Sequence, residues 1–155
     1  MIRKFIRHIL ILGFLLAGCA WQDDVSFARR LMDQLIDGKY SARTMIDWTK
    51  LKFLGKEVGD AYAKCEGDAC KITFERAFIE NFSKGYKQAG AKKTAFFNWK
   101  IYKKDPSGAT QVSVNVHDEN TFFVLTIAHV GGEKKLVEVI GLSKSGVRDV
   151  EPVLR

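Results

Sequence analysis

The chain has 155 residues, 46% of them hydrophobic and 28% charged. That is one domain's worth of sequence, with enough apolar residues to bury a core and neither an internal repeat nor a low-complexity linker. The net charge is +7, but three of the basic residues lie in the first eight, and the +4 that remains is a mild excess and not the footprint of a nucleic-acid binder.

The first eight residues, MIRKFIRH, carry Arg3, Lys4 and Arg7 and no acid. Ile9 to Ala17 (ILILGFLLA) is a short apolar run, too short to cross a hydrocarbon core as a helix. Ala17 and Gly18 then supply the small residues of a cleavage point. A positive segment, a short apolar segment and a small-residue end make the layout of a secretory signal peptide. An ordinary signal peptide or an uncleaved anchor would share parts of this layout. The stretch Leu16-Ala17-Gly18-Cys19 further resembles the lipobox of bacterial lipoproteins. That resemblance implies a diacylglycerol on the Cys19 thiol, cleavage before Cys19, and an acyl chain on the new amine. Two or three chains hold a protein to a membrane far more firmly than one. Ala20 at the next position implies export to the outer membrane, with the domain facing the periplasm. On this reading residues 1–18 are the signal peptide, 19–24 a lipidated tether and 25–155 a single domain. Arg3, Lys4 and Arg7 leave with the leader, so the charge of +7 falls by three to +4.

The spacing predicts a helix over Val25 to Ile36, with Val25, Ala28, Leu31, Met32, Leu35 and Ile36 on one face and Gly38 as its stop. Ser41 is placed to cap a short second helix running to about Asp47, anchored by Met45, Ile46 and Trp48. Leu51, Leu54, Val58, Ala61 and Tyr62 recur at helical intervals and predict a third helix. Lys71 to Gln88 predicts the longest one, with Phe74, Phe78, Phe82 and Tyr86 four residues apart. From residue 94 the period changes to two. Phe96 to Lys104 places Phe97, Trp99 and Ile101 on one face of a strand, and Asp105-Pro106-Ser107-Gly108 is a turn. Gln111 to His117 alternates, with Val112, Val114 and Val116 inward and Ser113, Asn115 and His117 outward. Asp118-Glu119-Asn120 reads as a turn, Thr121 to Val130 as a strand, Gly131-Gly132 as a hairpin connection and Lys134 to Leu142 as the last strand.

Helices first and a four-stranded antiparallel meander after them give an α+β domain, with the helices packed on a curved sheet. This order resembles the cystatin-like cone folds, above all the nuclear-transport-factor-two-like superfamily. A narrower resemblance, carried by Thr73 to Phe78 and Tyr86 after Asp47-Trp48 and Leu54-Gly55, is to the Mla-type periplasmic phospholipid-binding proteins. It implies acyl chains held between helices and sheet, although this chain is shorter than theirs and tethered.

With Cys19 lipidated, Cys65 and Cys70 form the remaining pair in an oxidising envelope, and we read them as a disulfide closing a small turn. No spacing suits a metal, and no cofactor is implied beyond the acyl chains on Cys19. His129 shares a strand face with Phe123, Leu125 and Ile127, and Asp47 or Glu138 could serve it as a partner carboxylate. No hydrolase, metalloprotease or phosphate-loop motif is present, so the chain is expected not to be an enzyme. Two functions stay open. One is a noncatalytic lipoprotein that binds an envelope protein or cell-wall component. The other is a binder of a phospholipid or fatty acid, its apolar pocket lined by Phe74, Phe78, Phe82, Tyr86, Phe97, Trp99, Phe123 and His129. The fate of those aromatic rings separates the two.

Overall fold

The computed structural model describes residues 23–143. The signal peptide, Cys19 and the segment from 144 to 155 lie outside the described residues. Helix α1 covers residues 23–37, followed by a 3-10 turn at Tyr40–Met45. Two short strands, β1 (Lys52–Phe53) and β2 (Lys56–Glu57), lead into helices α2 (Val58–Ala63) and α3 (Gly67–Gln88). Strands β3 (Phe96–Lys104), β4 (Thr110–Val116), β5 (Asp118–Val130) and β6 (Glu133–Ser143) complete the chain. The sheet has six strands in the order β2-β1-β6-β5-β4-β3. It is mixed, because β1 runs parallel to β6.

The expectation of four antiparallel strands is therefore corrected. The β3–β6 meander is there, but β1 and β2 extend it past β6. They replace the first half of the helix expected from Leu51 to Tyr62. Leu54 and Gly55 both have positive φ, 48° and 78°, a pair that turns the chain tightly between two strands. Helix geometry resumes only at Val58. The second expected helix is likewise a 3-10 turn, and Ser41 does not cap it. Its hydroxyl donates to Gln34 Oε1 at 3.0 Å instead.

One hydrophobic cluster joins the helices to a single face of the sheet. It includes Leu31 and Leu35 of α1, Ile79 of α3, Val112 and Val114 of β4, Leu125 and Ile127 of β5, and Leu136 and Val139 of β6. Each such side chain, fully buried, contributes roughly 1.5–3 kcal/mol. The register shifts in β3, again at Asn115/Val116 and again at Thr126/Ile127, and extra residues of this kind bend and twist strands. The shift between Phe97 and Lys100 corrects the expected face of β3. Phe96 pairs with Val116 on the core side and Phe97 with Asn115 on the other. Asn98, with φ 56°, sits in the bulge, and Trp99 and Ile101 rejoin the core side. The reverse between β4 and β5 is tighter than expected. It turns at His117, φ 61°, and Asp118 to Asn120 already belong to β5.

Candidate functional site

The α3 aromatics divide into two groups. Phe74 and Phe78 meet Trp48 edge-on at 6.3 and 5.4 Å, and Phe53 meets Phe78 and Phe82 edge-on at 5.4 and 5.8 Å. Tyr62 stacks on Trp48 at 5.9 Å. Four-residue steps drift round a helix, so Tyr86 lies roughly 120° from Phe74 and takes a different partner. It stacks on Phe96 at 5.6 Å, and Phe96 lies 6.3 Å from Trp99 and 6.2 Å from Phe123. Edge-to-face and offset pairs stabilise by about 0.5–1.5 kcal/mol beyond burial. Phe74, Phe78, Phe82, Tyr86, Trp99 and Phe123 thus pack largely on other rings. Two residues expected with them do not join. Phe97 is on the opposite side of the sheet, because the bulge resets the alternation. His129 is exposed, because the strand has run past the core by that point. Phe53 and Phe96 are the ring partners that sequence reasoning missed.

Beside this ladder lies a buried acid. Glu75 is 6% exposed. Its Oε2 accepts from the Tyr40 hydroxyl at 3.2 Å and its Oε1 from the Tyr62 hydroxyl at 3.0 Å. Arg43 Nη1 is 3.8 Å from Oε2. A buried carboxylate needs such partners, because an unpaired one costs several kcal/mol. Burial, and then the Glu75 carboxylate it faces, push the Tyr62 phenol above its ordinary pKa. The guanidinium groups of Arg43 and Arg76 each lie 5.1 Å from the centroid of the Tyr40 ring.

The Glu75 network adjoins an open cleft. α1 stops at Gly38, whose φ of 69° suits glycine. There the Ser83 hydroxyl of α3 donates to the Ile36 carbonyl at 2.7 Å. A cleft of about 570 Å³ opens between this turn and α3, flanked by Asp37, Glu80, Lys84, Lys87 and Gln88. A second, of about 310 Å³, shares Gly38 and Glu80 with it and adds Tyr40, Arg76 and Ile79. Hydrogen bonds from Lys93 and then Lys39 hold the Asp37 carboxyl below its usual pKa. The lining therefore presents cations at Arg76, Lys84 and Lys87 and anions at Asp37 and Glu80. Such a surface matches a polar or mixed-charge chain.

The remaining chemistry is dispersed. Asp47 Oδ1 accepts from Thr49 and Glu138 Oε2 from Thr126, so both proposed partners of His129 are engaged elsewhere. His129 pairs in register with Lys134 and acts electrostatically on Asp23. Cys65 and Cys70 are joined, with Cα atoms 5.3 Å apart, where α2 gives way to α3. Among the described residues no group of three or more His, Cys, Asp and Glu could hold a metal ion, and no helix is long and apolar enough to cross a membrane. Comparison with protein-family models, curated proteins and solved structures finds no match to this chain.

Proposed function

We propose that this chain is an envelope lipoprotein, acylated at Cys19, whose α+β domain binds a protein or cell-wall partner without catalysing a reaction. The location rests on the Leu16-Ala17-Gly18-Cys19 stretch and the leader before it, with the outer membrane as the expected site. Helices gathered on one side of a bulged sheet support the reading of the domain as a cystatin-like cone. A fold of that kind hosts many functions, so the binding role must rest on the site.

The observation that carries it is the contrast between two surfaces. The aromatic side chains pack on one another, whereas the open cleft beside Gly38 is flanked by side chains of both charges. A peptide or glycan supplies hydrogen-bonding groups that such a cleft can match, and an acyl chain does not. The test is a photo-crosslinking amino acid placed at Lys84 or Lys87 in cells with the native anchor, with Tyr102 on β3 as the control position. A discrete adduct from the cleft positions alone is the expected result. Stoichiometric phospholipid or fatty acid in organic extracts of the purified domain, with no cleft adduct, would overturn the reading in favour of lipid binding.

A further inference from the structure

Acylation at Cys19, on which this inference rests, combines with the fold to determine how the domain stands on its membrane. The start of α1 is pinned to β6. Lys134 Nζ lies 2.6 Å from Asp23 Oδ2 and 2.6 Å from Asp24 Oδ1. The second contact is an ion pair without hydrogen-bond geometry. Burial lowers the Lys134 pKa, but the two aspartates more than reverse that, so the ammonium keeps its charge. Lys134 sits next to the β5–β6 turn at Gly131-Gly132. The β3–β4 turn, Asp105 to Gly108, is at the same end of the sheet, because Thr110 pairs with both Lys104 and Ile127.

The other end of α1 lies elsewhere. Asp37 bonds Lys93 at 2.7 Å just ahead of β3, and the His117 amide of the β4–β5 turn donates to the Ala95 carbonyl at 2.9 Å. Residues 23–37 rise by roughly 20 Å at 1.5 Å per helical residue. Cys19 precedes Asp23 by four positions, and four residues span at most about 14 Å. The anchor therefore reaches the end with the β3–β4 and β5–β6 turns. That end exposes Lys103 together with Asp105 and Glu133, so the reach of the tether, not a net charge, selects it. The far turn carries Asp118 and Glu119, with Lys92 and the ion-paired Lys93 nearby.

We infer that the domain rests on its anchoring bilayer through its β3–β4 and β5–β6 turns, with the cleft at Gly38 held at the membrane-distal end. A partner then reaches the cleft from the side away from the anchoring membrane.

The test uses the full acylated protein in phosphatidylethanolamine–phosphatidylglycerol vesicles containing a headgroup quencher. A fluorophore is attached through Ser107→Cys on the β3–β4 turn or Asn120→Cys beside the β4–β5 turn, with the Cys65–Cys70 pair kept oxidised. Intact mass is recorded first. For acylated, vesicle-bound protein, quenching at 107 should exceed that at 120 several-fold. Equal quenching, or stronger quenching at 120, overturns the orientation while leaving the anchor in place. A mass without acyl chains overturns the anchoring reading, and this inference with it.

Discussion

Gly59 is the position where propensity and packing disagree most sharply. It lies in α2, where alanine is ordinarily the better helix former by about 1 kcal/mol. A methyl group there, however, would sit 2.5 Å from the Thr49 carbonyl oxygen, 2.9 Å from the Thr49 carbonyl carbon and 3.3 Å from the Lys50 nitrogen. All three are backbone atoms. The Gly59 amide also donates to the Leu51 carbonyl at 2.9 Å, which ties the helix to the segment it would strike. Carbon–oxygen contacts relax at about 3.3 Å, so α2 or the 49–51 segment must shift by most of an ångström. Overpacking of this kind costs about 1–3 kcal/mol. Gly59→Ala should therefore lose up to about 2 kcal/mol net, although propensity alone favours it. The movement would also displace Tyr62 from Glu75 and Trp48. Urea unfolding followed by circular dichroism, with the disulfide intact, reads the change as a lower midpoint at constant slope. Ala61→Gly, exposed on the same helix, should lose up to about 1 kcal/mol through propensity alone. A Gly59→Ala domain more stable than the parent would refute the close approach of α2 to Thr49.

Glu75→Ala leaves the Tyr40 and Tyr62 hydroxyls and Arg43 without their shared acceptor. Because both hydroxyls are only partly buried, stability should fall by about 1–3 kcal/mol in total, and Glu75→Gln, which keeps an acceptor oxygen, should lose less in the same urea titration. Tyr62 has a raised folded pKa, so its contribution is complete below the unfolded value of about 10 and is lost as pH rises through the folded one. Tyr62→Phe should remove a late-titrating phenol from the ultraviolet phenolate curve, and an unchanged alkaline limb would count against the Glu75 contact. Asp23 has a lowered folded pKa, caused first by its hydrogen bond from Lys134. Its contribution is present above about pH 4 and is lost as pH falls through the folded value. Lys134→Met should therefore flatten the acid limb of thermal stability against pH, and an unaltered limb would show that the pair does not hold α1 to β6.

The parts of the fold that were legible in the sequence are those where one period runs unbroken. Ala28, Leu31, Met32, Leu35 and Ile36 mark α1, and Gly38 marks its stop. The valines of β4 and the Gly131-Gly132 turn, with φ of 60° and 83°, mark the meander. Two-residue strands carry no period, so β1 and β2 were hidden beneath a chance helical spacing of Leu51, Leu54 and Val58. The β3 bulge was hidden for a related reason, since alternation cannot show where a residue is inserted, and Phe96 and Phe97 exchange faces on that single point. Glu75 stands one residue after Phe74 in the sequence, and nothing in that local pattern marks it as buried. Its hydroxyl partners stand 35 and 13 residues away, a separation that only tertiary packing closes. The cleft has the same origin. It exists because Ser83 of α3 docks on the carbonyl end of α1, and no local pattern in either helix announces that contact.

The most direct test of the account is the intact mass of the protein extracted from bacterial membranes. The expected product is a chain that begins at Cys19 and carries a diacylglycerol, with or without an N-acyl chain, and a Cys19→Ser protein should lack the modification. A mature chain that begins elsewhere, an unmodified Cys19 or a retained leader would contradict it.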